Sequence, residues 1–292
     1  MNKGYIKVVL ALLSVTGYMQ NIAFASDSAP RANSSNEEAE QVVYENPEEI
    51  EQLLCNDPEE AKQAEALMAD VLDIAQKHVE HTDDYRLYYK IDKGAILYSK
   101  YIGDAEVGKL ELIVPNPDSY DDMINLIWNP NSGKNFNDSF VEGFVSKIYN
   151  QNLVIVQQRY NNYTGSGYRY FYALANKVKL SEDETAILLT SSDMNDHDGG
   201  NNKKYVNPIV ESANSFKPDV NSGEDIRNGE LSKMYVNLAA FFFKKEADCV
   251  KVTYLSSLDA NIICIVPNYF VKRAKFNRML NIAKLRDIFK KK

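Results

Sequence analysis

The sequence is poor in the residues that build cross-linked or metal-bound sites. Its 292 residues include three cysteines, three histidines and one tryptophan. Three widely spaced cysteines argue against a disulfide scaffold, and Cys249 and Cys264 either pair or remain two buried thiols. His78 and His81 share one face of a predicted helix. They have no carboxylate at ligand spacing, so no metal site is predicted.

Motifs of the common enzyme classes are also missing. The sequence has no GxSxG elbow, no P-loop, no GxGxxG after a strand and no HExxH. Residues 192–198 gather carboxylates around His197, which could bind a cation or exchange protons, but their polarity favours a solvated loop. The predicted strands lack basic residues interleaved with aromatics, which argues against nucleic-acid binding. We therefore expect no catalytic residues, no cofactor and no nucleic-acid partner.

A long membrane-spanning run is likewise lacking. Residues 1–25 place Lys3 and Lys7 before a short apolar stretch and end in the small residues of Ala23-Phe24-Ala25. This pattern predicts a signal peptide that is cleaved before Ser26. The stretch falls short of the about 20 apolar residues that cross a bilayer. An uncleaved anchor is the alternative, and a secreted, soluble mature chain is expected.

Charge is distributed unevenly around a net value of −8. Residues 26–46 are small, polar and acidic, which is typical of a disordered leader. Sixteen acidic and two basic residues lie within residues 37–84, whereas nine basic residues and one acidic residue lie within 272–292. The basic end either meets anionic lipid headgroups or an acidic partner, or it neutralises the acidic end within one fold. The second interpretation is slightly favoured.

The pattern of residues 47–292 predicts one α+β domain. Helical periodicity covers residues 57–81, with Asp57 as the N-cap, and a short helix covers 119–128. Period-two patterns then follow one another without helices between them, which predicts an antiparallel sheet. A final helix runs from Pro267 to about residue 290, and its broad apolar surface predicts that it is largely buried across the sheet. The predicted strands cover residues 86–91, 95–101, 109–114, 140–148, 153–160, 167–179, 185–191, 231–244 and 249–257.

A curved sheet that wraps around a long helix encloses a cavity, and the side chains that line the cavity determine what it can bind. Such a cavity would be mostly apolar with a few polar groups, as small-molecule sites are. The 19 tyrosines suit such walls, although a β-rich fold or an AT-rich genome also explains them. Arg159 reaches a phosphate or carboxylate if it points inward and is a surface charge if it points outward. The cavity candidates from strand alternation and from the helices are Trp128, Arg159, Tyr168, Tyr170, Tyr172, Tyr235, Asn237, Phe241, Tyr254, Phe270, Ala274 and Leu285.

Four segments carry a resemblance to a known family, and they are residues 124–136, 249–254, 257–259 and 267–288. In these segments the chain resembles START lipid-transfer domains. The resemblance implies a helix-grip fold, in which a curved antiparallel sheet wraps around a long C-terminal helix and a lipid lies between them. The glycine that START domains carry after the aspartate is missing at Ala260, and their usual tryptophan near the last helix is also missing, so headgroup choice is not carried over.

Six further strings carry a second resemblance, and they are residues 1–5, 17–21, 116–122, 209–216, 225–229 and 285–292. In these strings the chain resembles the fam-a proteins of malaria parasites. The resemblance implies a lipid carrier for a phosphatidylcholine-like phospholipid, with transient membrane contact and export to the parasitophorous vacuole or the host erythrocyte. No RxLxE-type export pentamer follows the predicted signal peptide. We expect a monomer. An exported host–parasite interaction protein that keeps the fold without lipid transfer is the alternative.

Overall fold

The computed structural model describes residues 47–91, 94–162, 167–200, 204–261 and 268–290, without the side chains of 47–49, 268 and 270. The predicted signal peptide, the predicted leader and the Phe270 side chain lie outside the described residues. Cys264 also lies outside them, so its pairing with the buried Cys249 stays a prediction. Within the described part, no helix is both long and apolar enough to cross a membrane.

Two of the three predicted helices begin and end close to their predicted bounds, and two short helices, Pro47–Leu53 and Glu224–Arg227, were not predicted. The second helix starts as predicted, because the Asp57 side chain accepts hydrogen bonds from the backbone N–H groups of Glu59 and Glu60. The predicted final helix is instead two α-helices joined by a 3₁₀ turn at Ile282–Lys284. The α-helices of the described residues are α1 Pro47–Leu53, α2 Pro58–Glu80, α3 Tyr120–Trp128, α4 Glu224–Arg227, α5 Asn268–Asn281 and α6 Leu285–Ile288.

The strands form one sheet in the order β1-β2-β3-β10-β9-β7-β6-β5-β4. All neighbours on this path pair antiparallel, which confirms the predicted α+β class with an antiparallel sheet. The short β8 lies off the path and pairs parallel with β6, so predicted strand 231–244 is two strands. The bounds are β1 Arg86–Ile91, β2 Ala95–Ile102, β3 Ala105–Val114, β4 Phe140–Asn150, β5 Leu153–Asn161, β6 Tyr168–Ser181, β7 Glu184–Thr190, β8 Ser232–Lys233, β9 Tyr235–Lys245 and β10 Val250–Asp259.

Each face of the sheet buries a separate apolar cluster. We call the face that packs against α3, α5 and α6 the inner face, and the opposite one the outer face. The outer face is covered by α2 and by the segment 191–231. The inner cluster includes Val156, Phe241, Val252, Phe276, Met279 and Leu285. The outer cluster includes Leu67, Met68, Val71, Ile155, Leu188 and Phe242.

This arrangement places the acidic helix α2 on the outer face and the basic helix α5 on the inner face. The acidic segment is not confined to the outer face, because Ile50 of α1 lies in the inner cluster. Glu60 of α2 pairs with Lys147 at 2.9 Å, and Lys272 of α5 pairs with Glu106, so both ion pairs join a helix to the sheet. Mutual neutralisation of the two segments stays a prediction.

The C-terminal helices are buried along one stripe and half-buried beside it. Phe276, Met279, Ile282 and Leu285 are buried at spacings of three residues, whereas Ile288 is 46% exposed. Other apolar residues of the predicted broad surface are partly buried against the inner cluster, namely Leu280, Ala283 and Phe289. Gly108 of β3 permits the contact, since a Cβ there would lie 2.3 Å from the sulfur of Met279.

Candidate functional site

A cavity of about 170 Å³ lies between the inner face and α5. Most of its walls come from strands β5, β6, β7, β9 and β10, and α5 closes it from above. Part of its rim is formed by α3 and by the segment that follows α3. The lining residues are Ile127, Ser132, Gly133, Phe136, Asn137, Gln158, Tyr160, Phe171, Leu189, Met234, Val236, Ala239, Phe241, Tyr254, Leu258, Ala260, Lys275, Arg278 and Ile282.

The walls are apolar because alternate strand residues point inward. On β9 and β10, Phe241 and Tyr254 stack with their ring centroids 4.1 Å apart. On β5 and β6, Tyr160 and Phe171 stack at 6.2 Å. Burial raises the pKa of Tyr254, so its hydroxyl stays neutral at physiological pH. The strands thus present aromatic surfaces with few polar atoms.

The polar groups of the strand wall are already engaged. The Gln158 side-chain amide donates to the carbonyl oxygen of Pro130 at 2.7 Å. Its side-chain oxygen accepts a hydrogen bond from the Tyr160 hydroxyl at 2.7 Å. A cavity bounded by satisfied polar groups and apolar side chains is suited to an apolar ligand.

The charged side chains that line the cavity within the described part of the chain both come from α5. Lys275 and Arg278 line it, and no acidic side chain does so among the described residues. The Arg278 guanidinium lies 5.8 Å from the centroid of the Tyr160 ring and donates to the Ser139 hydroxyl at 3.4 Å. Burial lowers the pKa of Lys275 and outweighs the attraction of Asp259 and Glu106. The lid is therefore cationic over an apolar floor.

Two of the predicted cavity residues, Phe241 and Tyr254, line this cavity. Trp128 is buried in the inner cluster, with the Lys177 ammonium 5.4 Å from its ring, and its neighbour Ile127 lines the cavity instead. Leu285 is fully buried in the inner cluster but outside the lining. The half-buried Ala274 is also outside it.

The three tyrosines of β6 share a face, as predicted, but it is the outer face. Tyr172 accepts a hydrogen bond from the Gln157 side chain at 3.0 Å, and both are buried. Tyr170 is fully buried in the outer cluster, and Tyr168 is 48% exposed. Strand alternation establishes which residues share a face, whereas the burial of both faces leaves the inward one undetermined. Phe171, between two of these tyrosines, lines the cavity.

Arg159 also lies on the outer face and not in the cavity. Its guanidinium forms two hydrogen bonds to the Asp225 carboxylate, at 2.7 and 3.2 Å. It also lies 3.4 Å from the carboxylate of Glu142. This pairing attaches α4 to the sheet. Arg159 is thus an outward residue, and the inward alternative is wrong.

A β-bulge explains why Tyr235 and Asn237 of β9 do not line the cavity as predicted. Ser257 of β10 pairs with Leu238, but the next residue, Leu258, pairs with Val236, so Asn237 is an extra residue in the ladder. The bulge shifts the alternation, and Tyr235 therefore points away from the cavity that Phe241 lines. Tyr235 stacks on Tyr205 at 3.9 Å, and Asn237 accepts a hydrogen bond from the Tyr205 hydroxyl at 2.7 Å.

The carboxylates within residues 192–198 are more ordered than a solvated loop. Asp196 is 3% exposed and lies 2.6 Å from the ammonium of the buried Lys233. The Tyr170 hydroxyl donates to both Asp196 and Asp198 at 2.9 Å. The two carboxylates raise the pKa of Tyr170 beyond the effect of its burial. This cluster holds the segment 191–231 on the outer face, so the solvated-loop interpretation is wrong for Asp196.

Among the described residues, one group of side chains brings three possible metal-ligand atoms together. Glu246, Asp248 and Cys249 lie in the turn between β9 and β10. Glu246 already pairs with Lys251 at 2.7 Å. None of these three residues lines the cavity.

The fold is one that solved structures share. An open antiparallel sheet that grips a C-terminal helix is the START-like helix-grip fold. Among solved structures, the human StarD13 (DLC2) lipid transfer and protein localization domain is similar, with a TM-score of 0.50 and 13% identity over 75% of this chain and 96% of that one. Human StAR-related lipid transfer protein 5 has a TM-score of 0.51 and 9% identity over 78% of this chain and 99% of its own. No protein-family model and no curated protein matches the sequence.

Proposed function

We propose that the protein binds a lipid in the cavity beneath α5 and transfers it between membranes. The observation that carries this proposal is the apolar cavity, which lies between the inner face and the C-terminal helix. The two similar human structures are named for lipid transfer, which supports the same class of function. The proposed activity needs no catalytic residue, because a dry cavity and a gate are sufficient to move a lipid.

The cavity is narrow in this conformation. Its volume of about 170 Å³ is below the range of about 300–1,000 Å³ that is usual for pockets holding drug-sized ligands. A two-chain phospholipid therefore requires the gap between α5 and the sheet to widen. Since α5 is seated by a single buried stripe, we propose that this helix is the gate.

The ligand and the destination follow from the resemblance to fam-a proteins. That resemblance supports a phosphatidylcholine-like ligand, transient membrane contact and a monomer. The pattern of residues 1–25 supports secretion, and the resemblance supports export to the parasitophorous vacuole or the host erythrocyte.

A transfer assay between donor and acceptor vesicles tests the proposal. The chain from Ser26 onward should carry labelled phospholipid between vesicles, and native mass spectrometry should find lipid on the purified protein. Ala239→Trp places a large side chain inside the cavity and should reduce transfer at least tenfold, while overpacking costs about 1–3 kcal/mol of stability. Ile113→Trp, at a position that is 44% exposed on β3, is the matched control. Absence of both transfer and bound lipid in the unmodified protein would refute the proposal.

A host–parasite interaction protein without lipid transfer is the second candidate. The small volume of the cavity is the observation that favours it. This candidate predicts that Ala239→Trp and the unmodified protein behave alike in every lipid assay.

A further inference from the structure

The cavity lid carries a cationic pair. Lys275 and Arg278 are three residues apart on α5, and Ile282 follows one turn later. All three line the cavity, because residues at these spacings share one face of a helix. The positive charges thus lie at the boundary between the apolar interior and the helix surface.

Lys275 has no hydrogen-bonding or ion-pair partner within the part of the chain that the structure describes. It is half-buried, and its ammonium forms no hydrogen bond or ion pair with any residue that the structure describes. The acidic groups closest in electrostatic effect are Asp259 and Glu106. Glu106 pairs with Lys272, and Asp259 accepts the backbone N–H of Asn261 at 2.8 Å.

An unpaired ammonium at such a site is unfavourable, because burial removes water that solvates it. Two other buried lysines have partners within the protein that stabilise their ammonium groups. Lys233 lies 2.6 Å from Asp196, and Lys109 donates at 2.7 Å to both the Val79 carbonyl and the Thr82 hydroxyl. An anion inside the cavity would satisfy Lys275 in the same way.

Arg278 extends the site rather than duplicating it. Its guanidinium is placed by the Tyr160 ring and by Ser139, and it presents a planar set of donors beside Lys275. Guanidinium and ammonium groups together suit the oxygens of a phosphate or carboxylate. Phosphatidylcholine offers a phosphate as well, but its quaternary ammonium adds a positive charge that the two cations disfavour.

We propose that Lys275 and Arg278 bind the anionic headgroup of the lipid. The carrier then prefers lipids with a net negative headgroup, of which phosphatidic acid is the probe, over net-neutral phosphatidylcholine. The inference rests on the proposed lipid transfer, and it differs from the phosphatidylcholine-like ligand that the resemblance alone supports.

The test is competitive transfer of two lipids that share the same acyl chains. Donor vesicles of constant bulk charge carry trace labelled phosphatidic acid and trace labelled phosphatidylcholine, so surface attraction is equal for both. We expect the unmodified chain to prefer phosphatidic acid to phosphatidylcholine about tenfold, because one charge-assisted hydrogen bond contributes a difference of that size in affinity. Lys275→Gln should abolish the preference and retain phosphatidylcholine transfer, which shows that the variant is folded. Lys275→Arg should keep the preference, as should the control Lys284→Gln, which removes an exposed cation.

Several results separate this inference from the proposed function. Transfer of both lipids without preference by the unmodified chain overturns the inference, and so does a preference that survives in Lys275→Gln. Thermal stabilisation by inorganic phosphate alone, lost in Lys275→Gln, would assign the site to a free anion and overturn the headgroup assignment. Transfer of neither lipid by the unmodified chain refutes the proposed function itself.

Discussion

Three buried or half-buried lysines of this chain differ in what surrounds them. Lys109 donates to a backbone carbonyl and a hydroxyl, and Lys233 pairs with a carboxylate. Lys275 has neither kind of partner among the described residues and faces the cavity. A lysine that is satisfied within the protein stabilises the fold, whereas one that is left unsatisfied at a cavity is available to a ligand.

Removing the charge of Lys233 should destabilise the protein strongly. Lys233→Met leaves Asp196 buried and without its ion pair, and breaking a buried pair costs about 3–5 kcal/mol. Lys179→Met is the control, because the pair of Lys179 with Glu182 is exposed and such pairs contribute about 0–1 kcal/mol. Urea denaturation of both variants measures the difference. Equal unfolding free energies would show that the Lys233 pair does not hold the segment 191–231.

At the scale of elements, the contact between β3 and α5 controls the proposed gate. Gly108 leaves room for Met279, whose sulfur would lie 2.3 Å from a Cβ at that position. The buried stripe of α5 depends on this close approach. A larger side chain at position 108 therefore acts on the helix and not on the lipid.

Gly108→Leu should push α5 away from the sheet. We expect a loss of about 1–3 kcal/mol in unfolding free energy from overpacking, together with faster lipid uptake. Met279→Ala in the same chain removes the obstructing sulfur and should restore part of the stability. Denaturation and stopped-flow uptake of a fluorescent lipid measure the two effects. Slower uptake in the destabilised Gly108→Leu variant would argue against α5 as the gate.

The same scale shows how far the sequence predicts the structure. Local patterns predicted the α2 N-cap at Asp57, the antiparallel sheet and most strand bounds, because each depends on neighbouring residues. The inward face was not predictable locally, since both faces of β6 are buried and Tyr172 and Phe171 differ only in the partner that covers them. The bulge at Asn237 depends on the register of β10, which a single strand does not contain.

Some cavity-lining residues were not predicted, because local patterns do not identify the inward face of a strand. Gln158 and Tyr160 continue the inward alternation of Val154 and Val156 along β5. The sequence shows that these four residues share a face of the strand, but it does not show which face points into the cavity. Lys275 and Arg278 were missed because a charged residue on a helix is usually a solvated one. Only the position of α5 over the cavity gives these two cations a role.

At the scale of the whole molecule, the sheet separates the acidic α2 from the basic α5. The outer face carries α2 and the buried network around Asp196. The inner face carries the cavity and α5. For the proposed lipid carrier, we expect anionic membrane surfaces to attract α5, which would turn the cavity toward the bilayer.

The most direct measurement is the position of a bound acyl chain. The protein is loaded from vesicles with a phospholipid that bears a photoactivatable group on its acyl chain, irradiated, digested and analysed by mass spectrometry. The account predicts cross-links to the inward residues of β9 and β10, such as Phe241 and Tyr254, and to α5 near Ile282. Cross-links confined to the outer face or to α2, or no cross-links at all, would contradict it.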